Sequence, residues 1–275
     1  MKFAVVGDVG IDYYENLGLL KPGGIAFNLA YYLKKGGVHN ISLISILGNE
    51  RYSKNLLKII NSSKINFECI QRRKGNPPQQ NILLENGERK FVGYELGVLK
   101  NWRLRKKDLQ FIQKHDVVYV PLSDGMEQIF NTVKKLKGLI KAVDFSQDYE
   151  FADLDNKENI ITRNSKYFDL IFAGGKKKHK KMIKNLAGKY PERVFVLTLG
   201  RNGSISFHNN KEFFEPAKNV KVVDTTGAGD AFQASFLSTW IRTKNIKESL
   251  KIGTLYASKI IQTVRSTPGI SMVII

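Results

Sequence analysis

The chain has 275 residues, of which 42% are hydrophobic and seven are proline, a composition typical of a folded globular protein. The 44 basic and 25 acidic residues give a formal net charge of +19, and the basic residues are spread over the whole chain. The charge alone therefore does not distinguish a nucleic-acid partner from a phosphate-bearing ligand. No apolar run reaches the roughly 18 residues of a membrane span, and the apolar part of the opening MKFAVVGD is too short for a secretory signal. The single cysteine excludes an internal disulfide. These features predict a cytoplasmic protein without a membrane partner.

Strand and helix patterns alternate along the chain. KFAVVGD (2–8) is typical of a buried strand, and GGIAFNLAYYLKKGG (23–37) has apolar residues at helical spacing between glycines. A second strand (41–48) and a helix (51–63) follow, and the pattern continues with the strands HDVVYVP, GLIKAVDFS, YFDLIFAGG and RVFVLTLG and with helices over 126–137 and 176–188. Such alternation predicts an α/β fold with helices on both faces of a parallel sheet. In these folds the ligand lies beyond the carboxyl ends of the strands.

One region interrupts the alternation. QQNILLENGERKFVGYELG (79–97) predicts two short strands joined at Asn86-Gly87, a strong hairpin signal. Together with residues 11–20 it predicts a small antiparallel sheet that projects from the main layer. Since no linker or repeat marks a second full domain, we expect a single domain over residues 1–275.

A glycine-rich stretch near the C-terminus, VVDTTGAGDAFQASF (222–236), places Gly227, Ala228, Gly229 and Asp230 just before an apolar helical pattern. One interpretation is a tight turn with Asp230 as the helix cap. The other is an anion site built from the free amides of a helix N-terminus, with Asp230 as the base that takes a proton from an attacking hydroxyl. The stretch alone does not distinguish them. It is neither a Walker A loop nor a full dinucleotide fingerprint, since Phe232 takes the third glycine position.

A second polar group of residues lies near the N-terminus. The glycine pair of KPGGIAFNLAYYL opens a helix that carries Asn28, while Asp8 and Asp12 follow the first strand. Amide and carboxylate side chains of this kind suit sugar hydroxyls. For each residue alone, however, a turn or capping role is the commoner explanation.

Together these motifs resemble the ribokinase-like (PfkB-type) carbohydrate kinases. GGIAFNLA and DTTGAGDAFQASF are similar to the two signatures of that family, and TLGRNGS (198–204) is similar to its nucleotide-proximal segment. Within the family, the chain looks most like the fructoselysine 6-kinases, on the segments DFSQDYE (144–150), ERKFVGYELGVL (88–99) and VLTLGRNGSISF (196–207). The resemblance covers essentially the whole chain. It implies a three-layer parallel-sheet sandwich with a small β lid formed by about 11–20 and 79–97, and it favours the anion-site interpretation.

The resemblance also implies residue roles. Asp230 matches the catalytic base, and the anion hole is matched by the amides of Gly227, Ala228 and Gly229. Substrate-binding positions are matched by Asp12, Gly23, Gly24, Asn28 and Tyr94. The ATP-side segment is matched by Thr198, Gly200 and Gly203, with Lys176 as a further phosphate contact by hypothesis. A monovalent cation such as K⁺ is held in some members at the positions of Asp224 and Thr225.

The implied reaction is transfer of the γ-phosphate of ATP, with Mg²⁺, to the 6-hydroxyl of a fructosamine such as fructoselysine. Fructose, ribose or a nucleoside are alternative substrates within the family, and an inactive nucleic-acid-binding protein on the kinase fold is the alternative of another class. We do not expect nucleic acid as a partner, because the whole Gly-Ala-Gly-Asp set is present. A homodimer through the lid is a further expectation.

Two details of the predicted site concern the metal and the base. The family's Asn-x-x-Glu segment, which organises Mg²⁺, has no match after the strand that ends near residue 172. For Asp230, the position at a helix N-terminus predicts a lowered pKa.

Overall fold

A computed structural model describes residues 1–50, 52–145 and 158–264. Within those ranges the strands are β1 (Phe3–Val6), β2 (Gly10–Tyr14), β3 (Leu19–Gly23), β4 (Ile41–Leu47), β5 (Ile70–Arg72), β6 (Gln79–Glu85), β7 (Glu88–Glu95), β8 (Val117–Pro121), β9 (Ile140–Asp144), β10 (Leu170–Gly174), β11 (Val194–Thr198), β12 (Ser204–His208) and β13 (Lys211–Glu215). The helices are α1 (Ile25–Lys35), α2 (Ser53–Ser62), α3 (Lys106–Ile112), α4 (Glu127–Val133), α5 (Glu158–Asn164), α6 (Lys180–Lys189), α7 (Ala228–Thr243) and α8 (Ile246–Ile260). Most of DFSQDYE, one of the segments that resembles the family, lies outside the described residues.

The main sheet has the strand order β13-β12-β11-β10-β9-β8-β1-β4-β5. Its strands from β11 to β5 pair in parallel, whereas β12 and β13 add to one edge as an antiparallel hairpin. The hairpin turns at Asn209 and Asn210, both with positive φ, as a two-residue hairpin turn requires. The predicted α/β class and parallel sheet are confirmed.

Helices cover both faces of the main sheet, because successive strand residues point to opposite sides. In β1, Val5 belongs to the apolar cluster that contains buried side chains of α1, α2, α7 and α8. Its neighbour Val6 belongs to the cluster that contains buried side chains of α3, α4, α5 and α6. The result is the predicted three-layer sandwich. None of the helices in the described ranges is long and apolar enough to cross a membrane.

A second, smaller sheet, here called the lid sheet, has the order β3-β2-β6-β7. Its outer pairings are antiparallel, as predicted, whereas the central pair β2–β6 is parallel. The physical reason is the connection. Strands β2 and β6 are joined through α1, β4 and α2 rather than by a tight turn, and a connection of that length permits parallel pairing.

The lid sheet runs directly into the main layers on the side where the carboxyl ends of the parallel strands lie. Strand β3 ends at Gly23, and α1 begins two residues later. Strand β1 ends two residues before Asp8. The loops that follow β1 and β8 therefore lie between the two sheets, where the fold class predicts a ligand.

Candidate active site

Asp230 lies in the first turn of α7 and does not cap it. The cap position is held by Gly227, which adopts a left-handed conformation with φ 78°, and no side chain caps the helix. The carboxylate of Asp230 instead accepts a hydrogen bond of 2.9 Å from the Nδ2 of Asn28. Its other oxygen, Oδ1, is buried without a hydrogen-bond partner among the described residues. The geometry excludes the capping interpretation and leaves one carboxylate oxygen available for a substrate hydroxyl.

Burial raises the pKa of Asp230 to about 8. The hydrogen bond from Asn28 and the charge of Arg89 act in the opposite direction, while the charges of Asp144 and Asp8 raise the value further. The lowered pKa predicted from the helix N-terminus is therefore wrong. Only 5% of the residue is exposed, and loss of hydration outweighs the favourable end of the helix dipole. A carboxylate with a pKa near the working pH is better suited to accept a proton than an ordinary aspartate.

The turn before α7 presents backbone amides. Gly227 supplies the left-handed residue that lets the chain turn into the helix. The amide of Ala228 donates a hydrogen bond of 3.3 Å to the carbonyl of Thr225, whereas the amides of Gly227 and Gly229 have no backbone acceptor in the described part of the chain. Two of the three amides assigned to the anion hole are therefore open to a ligand, and the third is engaged in the turn.

Two buried carboxylates organise the start of α1. The Asp8 carboxylate accepts hydrogen bonds from the backbone amides of Ile25 and Ala26, at 3.1 and 3.2 Å, so it caps α1 from the loop between β1 and β2. Gly24 has φ 101°, and a Cβ there would lie 2.7 Å from the carbonyl oxygen of Asp8. At Gly23 a Cβ would overlap the carboxylate of Asp12. The glycine pair is thus required because the backbone passes directly against both acids.

A cavity of about 280 Å³ lies between the lid sheet and the main sheet, and we call it the sugar cavity after the substrate that the sequence predicts for it. Its walls bring together predicted site residues from both motifs and from the lid, namely Asp12, Gly24, Asn28, Tyr94, Gly227 and Asp230. Asp8, which the sequence also marked as suited to sugar hydroxyls, lines the cavity too, and further lining residues include Gln80, Arg89, Phe91, Ser123 and Asp124. Since these residues come from four separate segments of the chain, the cavity is a product of the tertiary fold.

Arg89 connects the lid sheet to the glycine-rich turn. Its Nη1 donates a hydrogen bond of 2.6 Å to the carbonyl of Thr225, and its guanidinium lies 5.0 Å from the centre of the Phe91 ring. The tip of the same hairpin touches the turn as well, since a Cβ on Gly87 would lie 2.9 Å from the Val222 carbonyl. The lid sheet therefore contacts the segment that precedes α7.

A β-bulge explains why three residues of β7 share the cavity. Asn81 pairs with Gly93 and Ile82 pairs with Phe91, so Val92 is an extra residue in the ladder. Strict alternation would place Arg89 and Phe91 on one face and Tyr94 on the other. The bulge adds one residue to the count and brings Tyr94 to the same cavity. Nothing in the sequence marks this position as a bulge.

The positions assigned to a monovalent cation are held by protein donors. The Asp224 carboxylate accepts the hydroxyl of Tyr14 at 2.7 Å and the amide of Thr226 at 2.8 Å. The carbonyl of Thr225 accepts from Arg89. The Thr225 carbonyl also accepts a hydrogen bond from the amide of Ala228, so a cation that used these oxygens would compete with four donors.

The residues assigned to ATP cluster at the neighbouring strands β10 and β11. Thr198 ends β11 and pairs in register with Gly174, and the amide of Gly175 donates to the Thr198 carbonyl at 2.9 Å. Lys176 follows immediately and is exposed. Gly203 has a structural requirement of its own, because a Cβ there would overlap the carbonyl of Glu215, and Gly200 has φ 55°. Thr198, Gly200, Gly203 and Lys176 are not among the residues that line the sugar cavity.

The described residues hold no cluster of three or more histidine, cysteine or acidic side chains that would bind a metal ion. Mg²⁺ usually binds through one or two carboxylates together with substrate phosphates and water, so it does not require such a cluster.

Comparison with known proteins identifies the family. The sequence pattern of the pfkB family carbohydrate kinases matches residues 18–271. The chain belongs to this family. It is 29% identical to a fructosamine kinase of Bacillus subtilis, over 94% of this chain and 90% of that protein, and 26% identical to a fructoselysine 6-kinase of Escherichia coli, over 94% and 97%. The crystal structure of ribokinase from Thermotoga maritima has the same fold, with a TM-score of 0.73 at 19% identity over 97% of this chain and 94% of that one.

The family membership confirms that the chain is an ATP-dependent carbohydrate kinase. The expected ribokinase-like fold is confirmed as well. The alternative of a nucleic-acid-binding protein on the kinase fold has no support from the family or from these relatives.

Proposed function

We propose that this kinase transfers the γ-phosphate of ATP to the 6-hydroxyl of a fructosamine, with fructoselysine as the preferred substrate. The observation that carries the proposal is the acidic lining of the sugar cavity. Four carboxyl groups line it, from Asp8, Asp12, Asp124 and Asp230, together with the guanidinium of Arg89; with Asp230 protonated at neutral pH, three acids remain beside this one cation. In a protein of net charge +19, this local excess of acid favours a cationic sugar over a neutral one.

The relatives support the same choice. The fructosamine kinase and the fructoselysine 6-kinase both match nearly the full length of this chain. Fructose, ribose and nucleosides lack the amine of a fructosamine, so they present no positive charge to the acidic walls. They are the competing substrates that the experiment below separates.

The proposed chemistry places the base and the anion hole on one helix. With the 6-hydroxyl directed at Asp230, the free Oδ1 accepts its proton as the new oxygen–phosphorus bond forms and the bond from the γ-phosphorus to ADP breaks. The amides of Gly227 and Gly229 face charge that develops on the equatorial phosphoryl oxygens. Asn28 holds the second oxygen of Asp230 and so fixes the orientation of the carboxylate.

ATP is assigned to the segment at the ends of β10 and β11, with Thr198, Gly200, Gly203 and Lys176 as its contacts. Its Mg²⁺ would arrive on the phosphates. The roles of individual residues, the single domain over 1–275, the K⁺ at Asp224 and Thr225, and a homodimer through the lid sheet stay predictions.

The proposal is tested by measuring ADP release with fructoselysine, fructose, ribose and adenosine as acceptors. We expect kcat/KM for fructoselysine to exceed that of each neutral substrate by about tenfold or more, as one ion pair in a partly buried site permits. Phosphorus NMR of the product should show a 6-phosphate. Comparable efficiency on all four substrates, or a preference for a neutral one, would remove the fructosamine claim.

Asp230→Asn is the matched control for this assay. It keeps the shape of the side chain and an oxygen that accepts from Asn28, but it cannot take the proton. We expect at least a thousandfold loss of kcat, a value within the range that removal of an essential base produces. Activity that persists in this variant would assign the base elsewhere or reveal a contaminating kinase.

A further inference from the structure

A second cleft, here called the outer cleft, lies beside the sugar cavity. Its volume of about 560 Å³ is about twice that of the sugar cavity, and the two spaces share Tyr94 and Asp124 in their walls. A ligand that fills the sugar cavity and extends past these two residues therefore enters the outer cleft. A single monosaccharide has no group that would occupy it.

The outer cleft carries charges of both signs. Lys100 and Glu127 line it, are exposed, and form no ion pair with any described residue. Trp102 also lines the cleft and is 1% exposed, and its indole nitrogen has no acceptor among the described residues. A cation, an anion and an unused N–H donor together complement a zwitterion, which has one carboxylate and one ammonium.

Regular elements hold the two sides of the outer cleft in place. Glu127 is the first residue of α4, whose next turn buries Ile129 and Phe130. On the other side, Leu96 follows β7, and a Cβ on Gly125 would lie 2.7 Å from its Cδ2. Such close packing fixes the backbone from which the charged side chains extend, so the shape of the cleft is formed before a ligand arrives, and this lowers the entropic cost of binding.

The orientation of the substrate sets which end reaches the outer cleft. If the 6-hydroxyl is at Asp230, carbon 1 is at the opposite end of the hexulose chain. In a fructosamine, carbon 1 carries the secondary amine, which is protonated at neutral pH. Asp124 lies in the wall between the two spaces and is the carboxylate placed to meet that amine.

Resting on the proposed function, we infer that the outer cleft is the subsite for the amino-acid part of the fructosamine. Asp124 pairs with the secondary amine, Lys100 with the α-carboxylate and Glu127 with the α-ammonium of the lysine head group. The indole of Trp102 supplies a further donor for the carboxylate. The kinase thus binds both ends of its substrate, the sugar in the sugar cavity and the amino acid in the outer cleft.

Three acceptors test the inference: fructoselysine, 1-butylamino-1-deoxyfructose and fructose. The butylamine compound keeps the sugar and the secondary amine but lacks the amino-acid head group. In the wild type we expect the highest kcat/KM for fructoselysine. Lys100→Ala and Glu127→Gln should each lower the ratio of kcat/KM for fructoselysine to that for the butylamine compound by about fivefold, the scale of one exposed ion pair. Lys137→Ala, at an exposed lysine that lines neither space, should keep the wild-type ratio.

The secondary amine is tested by Asp124→Asn. This variant should lower the ratio of kcat/KM for the butylamine compound to that for fructose by about tenfold, since the pair is partly buried. The effect should appear in KM rather than in kcat, because Asp124 binds substrate in the ground and transition states alike.

The outcomes separate the inference from the proposed function. If the wild type prefers fructose to both amines, the proposed function fails. If it prefers fructosamines but Lys100→Ala, Glu127→Gln and Lys137→Ala all give the wild-type ratio, the proposed function stands and the outer cleft is not the subsite. A circular dichroism spectrum of each variant that matches the wild type excludes misfolding as the cause of a lost ratio.

Discussion

Replacing Asp230 by asparagine should remove activity and at the same time stabilise the free protein in a pH-dependent way. Burial raises the pKa of Asp230 from 3.8 to about 8, so between these values the native state holds a proton that the unfolded state has lost. The free energy of unfolding therefore falls as pH rises through this window. An asparagine does not titrate, so residue 230 of the variant contributes no such decrease in the free energy of unfolding.

The size of the effect follows from the width of the window. Each unit of pH inside it changes the difference between the two proteins by about 1.4 kcal/mol, which amounts to about 3 kcal/mol between pH 5 and pH 7. The difference should level off above about pH 8, where Asp230 is ionised in both states. The other buried acids are the same in both proteins, so comparing variant with wild type isolates this one group.

Urea unfolding followed by circular dichroism at pH 5, 6, 7 and 8 measures the difference. Glu68→Gln, which removes an exposed carboxylate outside the sugar cavity, is the matched control for the loss of one negative charge. A difference between wild type and Asp230→Asn that is the same at all four pH values would refute the reasoning. It would mean that Asp230 is already ionised in the native protein at pH 5.

Three further predictions concern the same site. The kcat/KM of the wild type should rise about tenfold per pH unit below pH 8 and level off above it, because Asp230 must be ionised to act as base; a profile flat from pH 6 to 9 contradicts this. Arg89→Ala removes the hydrogen bond between the lid sheet and the glycine-rich turn, so kcat/KM for the sugar should fall by about tenfold or more. The control Lys90→Ala, at an exposed neighbouring residue, should stay within about twofold of the wild type, and equal effects would argue against the contact. Gly24→Ala and Gly37→Ala both place an alanine at positive φ, but only the Cβ at Gly24 would meet Asp8. Urea unfolding should therefore show a free energy of unfolding that is lowered by at least about 1 kcal/mol more in Gly24→Ala than in Gly37→Ala. Similar losses in the two variants would show that backbone strain alone causes the effect.

Most of the main layer could be predicted from the sequence. Buried strands and amphipathic helices have short-range patterns, so β1, β4, β8, β9, β10 and β11 were all expected where they occur. The hairpin of β12 and β13 was not, because β13 has little apolar alternation and adds to an exposed edge. The parallel pairing of β2 with β6 was missed for another reason, since it depends on how a long connection folds back.

The candidate site was only partly predictable. Asn28 and Asp230 each belong to a motif, but their 2.9 Å contact spans 202 residues and exists only in the fold. The pKa of Asp230 was predicted in the wrong direction because the depth of burial is a tertiary property, and it outweighs the local effect of the helix end. Arg89 looked like one lysine or arginine among 44, and only the lid contact with Thr225 distinguishes it.

The extra residue at Val92 gives this fold a simple route to new substrates. If Val92 were instead paired in a regular ladder, every side chain beyond it would turn to the other face, so that Tyr94 would leave the shared wall of the two cavities. Arg89 and Phe91 precede the bulge and would keep their places, as would Asp230 and Asn28 on the main layer. During the divergence of such kinases, loss of the bulge without a change in chain length can exchange what the pocket recognises while the proposed phosphoryl-transfer residues are inherited unchanged.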